Sequence, residues 1–174
     1  MRSMVPSVIV VMGVSGSGKS TIGRALAERL HWRFAEGDEF HSAANIAKMR
    51  AGVALTDEDR WPWLDAIAEW IRDARAKGER CVVACSALKR AYRERIVAGR
   101  DDVRFVYLAG GYDTIAGRLA TRSGHYMPLA LLRSQFQALE QPFDDEAITV
   151  RVDDPPSMIV DQVIDSIFPS SLRS

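Results

Sequence analysis

The chain is poor in cysteine, with two in 174 residues, it has three histidines, and it carries no excess of either charge. Lys plus Arg and Asp plus Glu number 23 each, so no net field draws it toward nucleic acid or an anionic membrane. Cys81 and Cys85 bracket the apolar run "CVVAC". Four residues of strand separate them by roughly 13 Å, beyond the ~7 Å between Cα atoms that a disulfide spans. No histidines lie near them to complete a zinc site. They read as core thiols in a reducing compartment. Long hydrophobic runs are missing too: nothing approaches the ~20 residues of a membrane span. The opening "MRSMVPS" leads through a short apolar stretch into Gly-Ser-Gly-Lys, where a secretory signal would place a cleavage site. These absences predict a cytoplasmic protein of enzyme size, with no nucleic-acid or membrane partner.

What is present is a pattern of strands and helices. Val8–Met12, Cys81–Cys85, Val103–Leu108 and Ile148–Val152 are apolar throughout and of strand length, and Trp32–Ala35 is a weaker fifth. Helical periodicity fills the intervals at Ser20–Leu30, His41–Arg50, Trp63–Lys77, Ala91–Val97, Tyr112–Thr121, Leu129–Glu140 and Ser157–Phe168. Strands without polar alternation, each followed by a helix, predict a parallel sheet covered on both faces. Pro62 suits the first turn of the helix at Trp63, and Gly78 suits its end. With no repeat, linker or low-complexity tract, residues 1–174 read as a single α/β domain.

Gly13-Val14-Ser15-Gly16-Ser17-Gly18-Lys19-Ser20 fits G-x-x-x-x-G-K-[ST] without a mismatch, followed by Thr21. It lies after a strand and at the start of a helix, where its backbone N–H groups can converge on phosphate oxygens beside the positive helix end. Lys19 then reaches the β- and γ-phosphates, and the Ser20 hydroxyl is the metal ligand, for Mg²⁺. A nucleoside triphosphate is the predicted ligand. Neither Cys81–Cys85 nor Val103–Leu108 runs into a carboxylate, and no Asn-Lys-x-Asp pattern specifies guanine. Both absences favour a compact kinase over a GTPase or a motor.

Beyond the loop, "FAEGDEFH" puts Asp38 after the weak second strand, at the sheet edge where open α/β sheets bind ligands. There it can accept the proton of an attacking alcohol, although Gly-Asp also suits a plain turn. Glu36 is placed to hold a metal-bound water. His41, Asn45 and Lys48, spaced four and three apart, share one face of a helix, which suits either a polyhydroxylated anion or solvent. Thr56 can cap a turn with Asp59, Arg60 is a candidate carboxylate fork, and Trp61 and Trp63 are wall or core residues. Finally, "RLATRSGHYMP" sets Arg118 and Arg122 one turn apart before a Gly hinge. That pattern fits a flap closing over phosphates and fits equally a basic helix end.

Taken in order, "GVSGSGKST", "GDEFH…N…KM", "LTDEDRWPWL", "CSALKRAYRERI" and "SGHYMP…LL-SQF-ALE-P" resemble the successive signatures of bacterial gluconokinases, from Gly13 to Pro142. The resemblance implies a P-loop kinase fold similar to shikimate and adenylate kinases, with a five-stranded parallel sheet, a substrate-binding segment near 38–64 and a mobile lid near 118–128. It implies ATP- and Mg²⁺-dependent phosphorylation of D-gluconate at its terminal hydroxyl, commonly by a homodimer. By that similarity Gly13–Thr21 bind ATP and Asp38 is the base, with Lys19 and Arg122 beside it in catalysis. His41, Asn45, Lys48 and Arg60 line the sugar-acid pocket, and Ser86, Lys89 and Arg90 lie near the transferring phosphate or the substrate. Arg118 stacks on adenine, and Arg122 and His125 belong to the lid. Glu36 stands where Asp is more usual, Ser42 and Ala54 where Pro is frequent, and Tyr126 where Phe is. The competing readings are a kinase for another polar acid, such as shikimate, and a non-catalytic ATP-binding module.

Overall fold

A sheet of five parallel strands, ordered β2-β3-β1-β4-β5, forms the centre of the computed structural model, which describes residues 5–121 and 128–169. The strands are β1 (Val8–Met12), β2 (Arg33–Glu36), β3 (Cys81–Ala84), β4 (Val103–Ala109) and β5 (Ala147–Arg151). The helices are α1 (Lys19–Leu30), α2 (Ala43–Arg50), α3 (Asp57–Ala76), α4 (Arg90–Val97), α5 (Tyr112–Thr121), α6 (Leu129–Ala138) and α7 (Pro156–Ile167). A short 3-10 turn at Gly37–Phe40 links β2 to α2.

β1 shows why its sequence is apolar at every position. Val8, Val10 and Met12 pack with Leu64, Ile67 and Ile71 of α3 and Ile96 of α4. The alternate residues Ile9 and Val11 pack with Ile22 and Leu26 of α1 and Ile159 and Val163 of α7. A strand buried on both faces has no position for a polar side chain, and each such aliphatic contributes about 1.5–3 kcal/mol by leaving water. β1 pairs with β3 on one side and β4 on the other. Strand order therefore diverges at its carboxyl end, where open sheets form a crevice. A third apolar cluster unites Val14, Leu88, Ile115, Leu119 and Leu132, fastening α5 and α6 to the loop after β1.

Cys81 and Cys85 are buried free thiols, and burial pushes them up to about 11 and about 12. Two expected boundaries move. The helix expected from Trp63 begins six residues earlier, at Asp57, because Thr56 and Asp59 form a reciprocal capping box there. Pro62 thus lies inside α3, where it cannot donate to the carbonyl of the exposed Glu58. His41 falls outside α2: its N–H closes the 3-10 turn on Asp38, and Ser42 caps α2 by accepting from the Asn45 N–H at 3.1 Å.

Candidate active site

The loop from Gly13 to Ser20 connects the buried end of β1 to α1. Its last glycine, Gly18, caps the helix in the left-handed region at φ 97°, a conformation that a side chain would strain. The first turn of α1 contains no acidic residue, so its positive end stays uncompensated for an anion. Ser17 is buried, and among the described residues its Oγ has no hydrogen-bond partner. That hydroxyl is packed under the loop, where a Cβ on Gly13 would come within 2.7 Å of it, so what the loop offers a phosphate is its N–H groups and the helix end. The Lys19 ammonium donates to the Val14 carbonyl at 3.0 Å, folded back over the loop.

Ser20 donates its hydroxyl to the carboxylate of Glu36 at the end of β2. These are hard oxygen donors of the kind Mg²⁺ takes, together with phosphate and water. Among the described residues no group of three or more His, Cys, Asp or Glu side chains could hold a metal ion. A cation here would therefore share few protein ligands with a nucleotide, and the Ser20–Glu36 pair fits that role.

Two cavities flank the loop. The larger, of about 400 Å³, lies against Gly16, Ser17, Gly18 and Thr21 and is closed by Arg118 and by Val152 and Ile159 beyond β5. Arg118 donates to the Val152 carbonyl. The smaller, of about 80 Å³, starts from Ser15 and Lys19 and extends past Asp38, His41, Arg60 and Ser86 to α6. Arg60 and Lys19 are the Lys or Arg side chains that line it among the described residues.

Its polar wall is held from behind. Gly37 lets the β2 and β3 loops touch: a Cβ there would strike the Ala84 carbonyl oxygen. The Gly37 carbonyl accepts from the Trp63 indole at 2.7 Å, and His41 stacks on Trp63 with ring centroids 4.1 Å apart. Burial lowers the His41 pKa below the ordinary imidazole value of 6.5; Asp38 opposes that and Arg60 adds to it. The Asn45 amide lies 3.3 Å from His41 Nδ1 and donates to the Asp59 carbonyl at 2.9 Å. A neutral imidazole then accepts at Nδ1 and keeps its proton on Nε2. Arg60 donates to the Tyr92 hydroxyl at 2.8 Å, and Tyr92 donates in turn to Asp57, which Lys89 also pairs at 3.2 Å.

The sequence-derived residues therefore separate. Lys19, Asp38, His41, Arg60 and Ser86 come together around the smaller cavity, and Arg118 faces the larger one. Asn45 and Lys48 do not line either cavity. Asn45 is buried between α2 and α3, and Lys48 pairs with Asp59 at 2.8 Å, which with the Thr56 N–H holds that carboxylate down at about 2. Lys89 is engaged by Asp57, and Arg90 is exposed and paired with Glu94 at 3.3 Å. Val14 lines neither cavity, and its side chain packs in the third apolar cluster. Arg122 and His125 lie outside the described residues.

With this geometry in view, the likeness to known proteins becomes specific. The AAA domain family matches residues 8–144. A gluconokinase of Gluconobacter oxydans (strain 621H) is 44% identical over 160 residues, which span 91% of this chain and 90% of that protein. The chain belongs to the gluconokinase family. A crystal structure of a gluconokinase from Sinorhizobium meliloti 1021 superposes with a TM-score of 0.85 at 44% identity, covering 94% of this chain and 92% of that one. Shikimate kinase from Aquifex aeolicus vf5, at 19% identity and a TM-score of 0.61 over 96% and 99% of the chains, shares the fold.

Within this gluconokinase-family site, residue-type reasoning passed over Gln135, Ser134 and Leu131, which bring one face of α6 to the smaller cavity. For Ser134 and Gln135 the signal is in "SQF-ALE-P", where polar residues interrupt an apolar helix. Arg93 was also passed over. Its side chain is 2% exposed and donates to the carbonyls of Ala87, Leu88 and Glu140 while pairing with Glu146, so it ties the loop of Ser86 to the end of α6.

Proposed function

We propose that the protein transfers the γ-phosphoryl group of ATP to the 6-hydroxyl of D-gluconate, giving 6-phospho-D-gluconate and ADP. The observation that carries this reading is membership of the gluconokinase family, together with the two cavities that flank one phosphate loop, Lys19 and Asp38 lining the smaller. The nucleoside occupies the larger cavity beside Arg118, with its phosphates on the Gly13–Thr21 loop. Gluconate enters the smaller cavity, and Arg60 forks its carboxylate, because Lys48 and Lys89 are engaged by Asp59 and Asp57. Neutral His41 and Ser86 hydrogen-bond the hydroxyls of the chain.

Asp38 accepts the proton of the 6-hydroxyl as that oxygen attacks the γ-phosphorus. Lys19 and the positive end of α1 offset charge on the moving phosphoryl and on the ADP left behind. Ser20 and Glu36 would hold Mg²⁺, which would supply positive charge to offset the negative charge of the triphosphate. The reading includes a cytoplasmic homodimer, with support from the family resemblance; light scattering on the purified chain tests the dimer.

The decisive assay couples ADP release to a panel of sugar acids and shikimate. Turnover with gluconate well above every other acid is the expected result. Consumption of ATP with shikimate and none with gluconate would overturn the substrate. Tight ATP binding without turnover on any acid would overturn the enzyme.

A further inference from the structure

Ser15 stands on the loop between the two cavities: its neighbour Gly16 lines the larger one, while Ser15 lines the smaller with Lys19. Its N–H does not point to an empty cup. It donates to Oε1 of Gln135 at 2.6 Å, 120 residues away in sequence. A backbone N–H can only donate, so the oxygen of the Gln135 amide must face it, and the nitrogen is left on the other side. Gln135 is half-buried and lines the same cavity as Asp38 and Lys19, and its Nε2 has no hydrogen-bond partner among the described residues. α6 cannot easily swing this side chain away, because Leu132 packs with Val14 of the loop.

We propose that Gln135 is a catalytic residue for the transfer assigned above: anchored through Oε1 to Ser15, it donates Nε2–H to an oxygen of the phosphoryl group in transit. The chemistry selects an anion, because both free hydrogens of that amide are donors. The position selects the γ-phosphoryl, because the anchor lies on the phosphate loop between Gly16 of the larger cavity and the smaller cavity that Gln135 shares with Lys19 and Asp38. The contact adds a neutral donor to the charge of Lys19 at the place where negative charge develops.

Gln135→Glu separates this role from a merely structural one. The carboxylate still accepts from Ser15 N–H, yet it replaces the donor with a negative charge. Calorimetry of the purified variant is expected to show ATP binding weakened about tenfold or more, with ADP binding unchanged, and kcat lowered about ten- to hundredfold. ATP affinity and kcat equal to wild type would overturn the proposal, since loop anchoring would then suffice. Equal losses for ATP and ADP, or a rise in gluconate KM alone, would overturn it too. If thermal melts show Gln135→Glu unfolded, Gln135→Met decides in its place: an ATP-selective loss supports the proposal and wild-type binding overturns it. The ratio of ATP to ADP affinity needs no acceptor. A wild-type chain that ignored gluconate would therefore defeat the function reading and leave this one standing.

Discussion

On one side of the phosphate loop the cavity walls are mostly main chain and small or apolar side chains, among them Gly16, Gly18, Ile22, Val152 and Ile159, with Arg118 and Asp154 as the charged side chains among the described residues. On the other side they are Asp38, His41, Arg60, Ser86 and Gln135, gathered from four separate segments. The first side can hold a ligand whose charge is met by N–H groups and a helix end, whatever the neighbouring side chains. The second depends on side chains that must be aimed, and a further layer aims them: Trp63 under His41, Tyr92 and Asp57 behind Arg60, Arg93 behind Ser86. A motif can encode the first kind of surface. The second is encoded in contacts between segments far apart in the chain.

Lys19 lies between the two sides, so its loss should erase the distinction. Lys19→Ala is expected to cut turnover about a thousandfold, by removing charge stabilisation where the chemistry is mainly electrostatic. Near-normal turnover in the coupled assay would contradict the cradle. Asp38→Asn should lower kcat by several hundredfold, on the order expected for a lost general base, with circular dichroism unchanged. An unchanged kcat would leave Asp38 a turn residue.

The supporting layer predicts smaller and one-sided effects. Arg93→Met leaves Glu146 without its partner and takes the donor from the Ala87 and Glu140 carbonyls, while the Leu88 carbonyl keeps the Glu140 N–H. Denaturant unfolding should show about 2–3 kcal/mol of lost stability, and a wild-type midpoint would count against the clip. Tyr92→Phe removes the hydroxyl between Arg60 and Asp57. It should raise gluconate KM about three- to tenfold and leave ATP KM alone. An equal change in both would show that the two sides are not independent. The smallest effect concerns pH. His41 is held below 6.5, so between its folded value and 6.5 the unfolded chain binds a proton that the folded chain does not. This contribution is complete above pH 6.5 and is lost as pH falls through the folded value. His41→Gln should flatten that part of the stability profile, and an unaltered slope would contradict the assignment.

The same contrast explains what was legible in the sequence. Strand β1, the loop and α1 were readable almost to the residue, because burial on both faces and the need for Gly18 leave few alternatives. Asp38 and Arg60 were found by residue type and face the smaller cavity. Spacing placed His41, Asn45 and Lys48 on one helical face, yet Ser42 caps α2 after His41, and Asp59 captures both the Asn45 amide and Lys48. Periodicity could not show that capture, because Asp59 belongs to another helix. Gln135 and Arg93 were hidden for a similar reason: each acts on backbone groups of a distant loop, and a backbone partner leaves no mark in the sequence.

The most direct test of the account is a crystal structure of the chain with a non-hydrolysable ATP analogue, magnesium and gluconate. That crystal is expected to show the nucleoside beside Arg118, the terminal phosphoryl at Lys19, and the 6-hydroxyl of gluconate between that phosphorus and Asp38. Gluconate bound away from Asp38 and Arg60, or both ligands on the same side of the Gly13–Ser20 loop, would contradict it.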